Sequence, residues 1–121
     1  MNTIAMIVAA GRGRRAGGQI PKQYAIYKET RMLSHTIKAL LKSSKIDALF
    51  VVINPLDIEL YMDSIFNLND KRLLKYCLGG DERTDSVRNG LMAVEKYNPK
   101  NIIIHDAARP YISINLLHKL L

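Results

Sequence analysis

The sequence predicts an α/β protein with a Rossmann-like, three-layer fold built on a mostly parallel sheet. One observation is that short β-branched and apolar runs alternate with segments that have the period of an amphipathic helix. A second is that the runs are apolar throughout rather than at every other residue, as is typical of strands buried on both faces. Strands and helices that alternate in this way indicate a parallel sheet with helices on both sides.

Four apolar runs are predicted to be the strands. Taken along the chain, they are Ile4–Ala9, Ala48–Ile53, Leu73–Leu78 and Asn101–His105. The second run stops at Asn54-Pro55, and the third stops at Gly79-Gly80. Because proline and glycine interrupt regular backbone structure, these pairs mark where the strands end.

The segments between the runs are predicted to be helices. They are Ser34–Leu41, Asp57–Phe66, a stretch from Thr84 or Asp85 to about Tyr97, and a last helix that opens at Ser113. We expect Ser34 to be the N-cap of the first helix, since its hydroxyl can accept a hydrogen bond from the backbone. In the third helix, Val87, Leu91 and Val94 recur at helical spacing and are expected to face the sheet.

Composition narrows the class of protein. Of the 121 residues, 48% are apolar and 24% are charged, which excludes a disordered chain. Cys77 is the single cysteine, so no internal disulfide is possible, and the apolar run Ile4–Ala10 is too short to span a bilayer. We therefore expect a cytoplasmic protein. The net charge of +7 favours an anionic partner, which nucleic acid, membrane lipid and phosphorylated metabolites all satisfy.

Three loops with unusual residues follow strand ends, after Ala9, Leu78 and His105. In parallel α/β sheets, ligands bind outside the carboxyl ends of the strands. Since these ends share one edge of the sheet, we expect the three loops to line one pocket.

The first loop is predicted to hold phosphates. Gly11 and Gly13 allow backbone N–H groups to approach a phosphate closely. Arg15 and Lys22 add cationic donors. The small residues before the glycines leave space for a base or a ribose, and these are Ala9 and Ala10.

Other interpretations of this loop exist. The pattern from Gly11 to Ala16 matches the dinucleotide-binding fingerprint, but Pro21 opposes the helix it requires, and Asp57 lies too far away to be its acidic residue. A Walker A loop is excluded, because no Gly-Lys-Ser/Thr follows at the required spacing. An arginine-rich arm for nucleic acid stays open, although only Tyr24 and Tyr27 supply interleaved aromatic residues. A flexible basic loop without a ligand also stays open.

The second loop is predicted to recognise a pyrimidine base. Cytosine offers an amino donor and two acceptors, so its reader needs carbonyl or carboxylate acceptors together with N–H or hydroxyl donors. Gly80, Asp81 and Ser86 supply that set. The alternative is a simple turn followed by a helix cap at Asp85.

The third loop carries an acidic and a basic residue. The fourth strand delivers Asp106 to the carboxyl end of the sheet, where a carboxylate beside phosphates is a natural Mg²⁺ ligand. Arg109 can bind a second phosphate through two N–H groups. The alternative is a surface ion pair between Asp106 and Arg109. We expect His105 to be structural.

Taken together, the segments AAGRGRR, PKQY, GGDERTDSV and HDAARP closely resemble the 2-C-methyl-D-erythritol 4-phosphate cytidylyltransferases. Ser34-His35-Thr36 also resembles the segment that follows PKQY in that family. The resemblance implies the nucleotide-diphospho-sugar transferase type of the fold. It also implies that residues 1–121 are the CTP-binding part of a single domain whose C-terminal half is absent. Ala16 stands where the family usually has a larger apolar residue, and Lys28-Glu29 replaces a commoner glycine turn.

The resemblance also implies roles for individual residues. Catalysis would rest on Arg15 and Lys22, which would hold the phosphates of CTP. The CTP-binding residues would be Ala9, Ala10, Gly11, Gly13, Gly80, Asp81 and Ser86. Asp106 would lie near Mg²⁺ and the acceptor, and Arg109 would contact the acceptor phosphate.

The reaction implied is Mg²⁺-dependent transfer of a cytidylyl group from CTP to 2-C-methyl-D-erythritol 4-phosphate with release of pyrophosphate, a step in isoprenoid precursor biosynthesis by the non-mevalonate pathway. Ribitol 5-phosphate is an alternative acceptor, because the ribitol phosphate cytidylyltransferases share these motifs. A catalytically incomplete CTP-binding fragment and a basic nucleic-acid-binding module are further alternatives. The expected partners are CTP and a small phosphorylated polyol, with neither nucleic acid nor membrane, and a homodimer is expected at full length.

Overall fold

The computed structural model describes residues 1–11 and 20–108, and a parallel sheet forms their centre. Along the chain, the strands are β1 (Thr3–Ala9), β2 (Ile26–Tyr27), β3 (Thr30–Arg31), β4 (Ala48–Ile53), β5 (Cys77–Leu78) and β6 (Asn101–Asp106). The main sheet has the order β5-β4-β1-β6, with all neighbours parallel, and β2 and β3 form a separate antiparallel pair. Three of the four predicted strands are confirmed within one residue at each end.

Strand β1 lies in the middle of this sheet. It pairs with β4 up to Ala9 opposite Ile53, and with β6 up to Val8 opposite Asp106. Because all the strands are parallel, their last residues emerge together. We call this side of the sheet the carboxyl edge and the side where the strands begin the amino edge.

The third predicted strand is shorter than expected. Leu73 forms only an isolated bridge with Leu49, and the regular pairing with β4 is limited to β5. Between these two contacts, Lys75 is exposed and the ring of Tyr76 packs edge-on against Tyr61, with centroids 5.2 Å apart. The prediction of a continuous strand over Leu73–Leu78 was therefore wrong, because this segment leaves the ladder to pack its aromatic ring.

Three helices in the described part of the chain cover the sheet. They are α1 (Met32–Leu41), α2 (Ile58–Ile65) and α3 (Arg83–Val94), with short 3-10 turns at Lys22–Tyr24, Pro55–Asp57 and Glu95–Tyr97. The predicted helices in these regions are confirmed, while the one expected from Ser113 lies outside the described residues. No helix among those described is long and apolar enough to cross a membrane.

The sheet has a hydrophobic core on each face. On one face, every second residue of β1 and β4 packs against α1 and α2. This cluster includes Ala5, Ile7, Leu33, Ile37, Leu40, Leu49, Val51 and Tyr61. The opposite face packs against α3, in a cluster that includes Ile4, Met6, Ala48, Phe50, Val52 and Val94. The predicted three-layer α/β arrangement is confirmed.

Two predictions about helix faces and caps were wrong. Ser34 is not an N-cap: α1 begins at Met32, directly after the β2–β3 pair, and this places Ser34 inside the first turn, where it is 4% exposed. In α3, Leu91 is 41% exposed, whereas Gly90 is buried. A Cβ at Gly90 would lie 2.7 Å from the Cε of Met6, so α3 approaches the sheet closely at its smallest residue. Val94, which is 2% exposed, is buried in the core as predicted.

The turn between β2 and β3 is formed without glycine. Lys28 has a φ of 49° and Glu29 a φ of 73°, both in the left-handed region. A two-residue turn with positive φ at both positions matches the twist of an antiparallel pair, and glycine and asparagine usually supply it. Lys28-Glu29 therefore makes the turn that glycine makes more often, with some backbone strain.

Candidate functional site

A cleft of about 180 Å³ opens at the carboxyl edge, between the ends of β1 and β6 and the start of α3. Its lining residues come from stretches that are far apart in the sequence. They are Val8, Ala9, Ala10, Gly11, Gln23, Gly80, Asp81, Glu82, Arg83, Ser86 and Asp106. The expectation that the three loops meet at one pocket is confirmed for their described residues.

The end of β1 forms the first wall of the cleft. Ala9 and Ala10 are 2% and 5% exposed, so their methyl groups leave little side-chain surface in the cleft. A Cβ built at Gly11 would meet no described heavy atom within 4 Å, so packing among the described residues does not require glycine there. Among the described residues, none fills the space beside Gly11.

The loop after β5 forms the second wall. A Cβ at Gly79 would lie 2.5 Å from both the Cβ of Ala10 and the Oγ of Ser86, so no side chain fits at this position. The N–H of Gly79 donates to the carbonyl of Ile53 at 2.7 Å, and the N–H of Gly80 donates to the Oγ of Ser86 at 3.2 Å. Glycine at position 79 thus allows the loop to close against the end of β1.

The first turn of α3 adds most of the charge at the cleft. Its N-cap is Glu82 and not the predicted Thr84 or Asp85, and the carboxylate of Asp85 accepts from the backbone N–H of Glu82 at 3.3 Å. The helix starts earlier because this carboxylate closes its first turn from within. Asp81, Glu82 and Arg83 are exposed where they border the cleft, whereas Ser86 is 1% exposed.

Asp106 stands at the end of β6, in a loop whose backbone is held on both sides. The N–H of Ala107 donates to the carbonyl of Val8 at 3.2 Å, and the Oγ1 of Thr36 donates to the carbonyl of Ala107 at 2.8 Å. The carboxylate of Asp106 itself accepts from the N–H of Ala108 at 3.0 Å. These bonds fix the carboxylate relative to β1 and α1. His105 pairs with Ile7 in the ladder and is not among the residues that line the cleft.

Gln23 is a site residue that the sequence did not reveal. It is 8% exposed, lines the cleft, and donates from its Nε2 to the carbonyls of Ala9 and Gly11, each at 2.8 Å. Its place between Lys22 and Tyr24 in the PKQY segment was the available signal. Lys22 is exposed and does not itself line the cleft, but its neighbour Gln23 ties it to the end of β1.

Several predicted residues lie outside the described part of the chain. Gly13 and Arg15 fall in the gap after Gly11, and Arg109 follows the last described residue. The predicted positions that the structure brings to the cleft are Ala9, Ala10, Gly11, Gly80, Asp81, Ser86 and Asp106.

The ionisable side chains at the cleft could bind a metal ion only if a bound ligand supplied further oxygen atoms. No cluster of three or more His, Cys, Asp or Glu side chains that could hold a metal ion occurs within residues 1–11 and 20–108. Asp106 could contribute a single carboxylate, and Mg²⁺ typically binds one or two carboxylates together with phosphate oxygens and water. Burial raises the pKa of the Cys77 thiol, which favours its protonated, unreactive form.

Comparisons with known proteins agree on one family. A family model described as 2-C-methyl-D-erythritol 4-phosphate cytidylyltransferase matches residues 3–121. A bifunctional enzyme IspD/IspF from Paramagnetospirillum magneticum is 44% identical over 110 residues, which is 91% of this chain and 28% of that protein. A 2-C-methyl-D-erythritol 4-phosphate cytidylyltransferase from Thermotoga neapolitana is 34% identical over 110 residues, which is 90% of this chain and 48% of that protein.

A solved structure gives the same result. The 4-diphosphocytidyl-2C-methyl-D-erythritol synthase from Anaerococcus prevotii superposes with a TM-score of 0.78 at 25% identity, and the match covers 98% of this chain and 48% of that one. The chain therefore spans about half the length of the single-function relatives and less than a third of the bifunctional one.

Proposed function

The chain belongs to the 2-C-methyl-D-erythritol 4-phosphate cytidylyltransferase family, and on that premise we propose that the carboxyl-edge cleft binds CTP. The chain then forms the nucleotide-binding part of an enzyme that transfers a cytidylyl group to 2-C-methyl-D-erythritol 4-phosphate and releases pyrophosphate. The names of the curated relatives favour this acceptor over ribitol 5-phosphate. The observation that carries the proposal is that three loops far apart in sequence line one cleft.

The base and the ribose would lie between the end of β1 and the loop before α3. Gly80 and Asp81 offer backbone and carboxylate groups for the cytosine, and the hydroxyl of Ser86 holds the N–H of Gly80 in place. The buried methyl groups of Ala9 and Ala10 leave room for the ring against the backbone. A purine is larger, and uracil has a carbonyl where cytosine has its amino group, so both should bind less well.

The triphosphate would run along the end of β1. Backbone N–H groups at Gly11 and Gly13 and the cations Arg15 and Lys22 would neutralise its charge. The exposed ammonium of Lys22 is a mobile point charge, as suits a group that follows the phosphates during reaction.

Asp106 would hold Mg²⁺ together with the phosphates, and Arg109 would bind the acceptor phosphate. When bound, Mg²⁺ neutralises charge on the phosphate oxygens. The phosphate oxygen of the acceptor attacks the α-phosphorus of CTP, and the bond to the leaving pyrophosphate breaks. Because the second pKa of a phosphate monoester is about 6, this nucleophile is largely dianionic at neutral pH and needs no general base. Catalysis then rests on alignment and on charge neutralisation.

The proposal is tested by calorimetry of the 121-residue chain with CTP, UTP and ATP in the presence of Mg²⁺. CTP should bind about 10-fold more tightly than UTP or ATP, since each base-specific contact is worth roughly 1–3 kcal/mol. Equal affinity for the three nucleotides would contradict base recognition at Gly80 and Asp81. Steeply salt-dependent binding of DNA or RNA without CTP binding would instead support a nucleic-acid-binding module.

A second assay separates binding from turnover. If pyrophosphate is released when the acceptor is added to the 121-residue chain, the chain is catalytic as it stands. Binding of CTP without turnover would support the incomplete fragment. The expected homodimer and the expected cytoplasmic location stay predictions, and we propose them only for a polypeptide of the relatives' length.

A further inference from the structure

Side-chain amides hold three consecutive carbonyl groups at the end of β1. Gln23 donates from its Nε2 to the carbonyls of Ala9 and Gly11, each at 2.8 Å. Asn54 donates from its Nδ2 to the carbonyl between them, that of Ala10, at 3.3 Å. The two amides come from different elements, the 3-10 turn at Lys22–Tyr24 and the end of β4, and we call them the amide clamp.

The orientation of each amide is fixed by its partners. If the amide of Gln23 were flipped, its oxygen would face two carbonyl oxygens at 2.8 Å, so the NH₂ group must point toward them and use both its hydrogens. In Asn54, the Oδ1 accepts from the N–H of Leu56 at 2.9 Å, which leaves the NH₂ group directed at Ala10. Neither side chain can rotate without losing two hydrogen bonds.

We propose that Gln23 and Asn54 are positioning residues for the triphosphate, an inference that rests on the proposed function. Carbonyl oxygens repel phosphate oxygens. The clamp reduces this repulsion, because its amides donate hydrogen bonds to the carbonyl oxygens of Ala9, Ala10 and Gly11. In a trans peptide unit the C=O and the following N–H point in opposite directions. Carbonyls held by the clamp therefore fix the direction of the N–H groups that follow them: the N–H of Ala10 points away from Gln23, and that of Gly11 points away from Asn54. An anion can accept from N–H groups that are held in this way.

The neutrality of the clamp matters for the same reason. A lysine or arginine at position 23 could also donate to these carbonyls, but its charge would repel the cations of the loop and compete with them for the phosphates. A carboxamide donates without adding charge. Since Lys22 directly precedes Gln23, the same two bonds also hold the backbone of Lys22 near the end of β1.

The test compares amide-to-acid changes within the amide clamp and outside it, measured as CTP affinity with Mg²⁺. Gln23→Glu places oxygens opposite the two carbonyls and should weaken CTP binding by about 10-fold or more at neutral pH. Asn54→Asp should weaken it less, because one longer bond is affected. The matched control is Asn89→Asp: Asn89 also donates its side-chain amide to a carbonyl, that of Leu78 at 3.2 Å, but it does not line the cleft. Its affinity should match the parent's.

A pH series distinguishes positioning from a loss of structure. When protonated, the carboxyl group introduced by Gln23→Glu can donate one hydrogen bond, and burial beside two carbonyls raises the pKa of such a group. The affinity of Gln23→Glu relative to the parent should therefore recover as the pH falls. The comparison with the parent at each pH removes the titration of CTP and of the other charged groups at the cleft, namely Asp81, Glu82, Arg83 and Asp106.

Gln23→Met, which keeps the length of the side chain without a donor or a charge, covers the case in which Gln23→Glu fails to fold. It should weaken CTP binding at every pH and show no recovery. If Gln23→Met or Gln23→Glu folds and binds CTP as tightly as the parent, the clamp has no role in positioning. If the parent itself binds no CTP, the proposed function is what fails.

Discussion

The two edges of the sheet use charge differently. At the amino edge, charged side chains are hydrogen-bonded to the backbone of the protein itself. The carboxylate of Asp47 accepts from the N–H groups of Asn2 and Thr3, each at 2.8 Å, and these bonds lower its pKa, that to Thr3 most strongly. The start of β1 is thereby fixed by an acidic side chain that does not line the cleft.

Arg72 extends this arrangement at the amino edge. Its guanidinium donates to the carbonyls of Leu41, Ser43 and Ile46, and it binds the carboxylate of Asp70 at 2.9 Å. The hydrogen bond from Arg72 holds the pKa of Asp70 below its usual value. One cation thus joins the end of α1, the start of β4 and the segment that leads to β5.

At the carboxyl edge, neutral side chains join segments that are far apart in the sequence. The amides of Gln23 and Asn54 and the hydroxyls of Ser86 and Thr36 hold the backbone of the three loops. The charged residues there border the cleft, as Asp81, Glu82, Arg83 and Asp106 do. Their bonds to the described backbone are local, such as that from the N–H of Ala108 to the carboxylate of Asp106, so these ions do not join distant segments of it and their charge stays available to a ligand.

The largest effect should come from the cation next to the clamp. In a polypeptide of the relatives' length, Lys22→Ala should lower the rate of cytidylyl transfer by about 100-fold or more, as expected when charge stabilisation of a transition state is lost. The matched control is Lys45→Ala, which removes an exposed lysine just before β4, at the amino edge. Steady-state kinetics of both variants are compared. Equal rates for the two variants would remove Lys22 from the mechanism.

The next effect should be on stability alone. Arg72→Met leaves three carbonyls without their donor and should lower the free energy of unfolding by about 2 kcal/mol, with CTP affinity unchanged. Urea denaturation and calorimetry measure the two quantities. For Arg88→Met the change should stay within about 0.5 kcal/mol, because Arg88 is exposed and lies 3.7 Å from Asp85. A loss of CTP affinity in Arg72→Met would contradict the claim that the amino edge contributes to stability and not to CTP binding.

A smaller effect is expected where a hydroxyl supports the acidic loop. Thr36→Val removes the donor to the buried carbonyl of Ala107 and should cost about 1 kcal/mol of stability. It should also weaken the Mg²⁺ dependence of CTP binding, because the loop that carries Asp106 loosens. Thr36→Ser keeps the hydroxyl and should behave nearly as the parent in both measurements. If the valine and serine variants give the same result, the bond to Ala107 does not position Asp106.

The smallest effect is a change in acid stability. The pKa values of Asp47 and Asp70 are lowered in the folded chain, so these carboxylates stabilise it above their unfolded pKa, and that contribution is lost as the pH falls through the folded values. The double variant Asp47→Asn with Asp70→Asn should melt below the parent at neutral pH, and the two melting temperatures should converge below about pH 4. A constant difference at all pH values would show that these charges are not the cause.

The sequence predicted the layers of the fold because burial patterns are local. A continuous apolar run such as Ala48–Ile53 indicates a strand that is buried on both faces, and the observed strand has the same first and last residues. Glycines that follow strands likewise predicted the walls of the cleft at Gly11 and Gly80. The residues that support the cleft were missed, because their contacts are long-range: Gln23 bonds to a residue 14 positions away, and Thr36 to one 71 positions away.

The wrong helix details have a similar cause. Ser34 has the chemistry of an N-cap, but the β2–β3 pair leads straight into α1 and moves the start of the helix to Met32. Leu91 has the hydrophobicity of an inward residue, but α3 lies so close to Met6 that Gly90 faces the sheet instead. In both cases local sequence preference predicted that a helix forms, whereas tertiary packing determined where it begins or which of its residues faces the sheet.

The central claim is that the carboxyl edge, and not the amino edge, binds CTP. The most direct measurement is a titration of the 121-residue chain with CTP and Mg²⁺, followed by the backbone amide signals in NMR spectra. We expect the signals of Ala10, Gly11, Gly80 and Asp106 to shift together and to saturate, while those of Asp47 and Arg72 stay in place. Shifts centred on Asp47 and Arg72, or none at saturating CTP, would contradict the account.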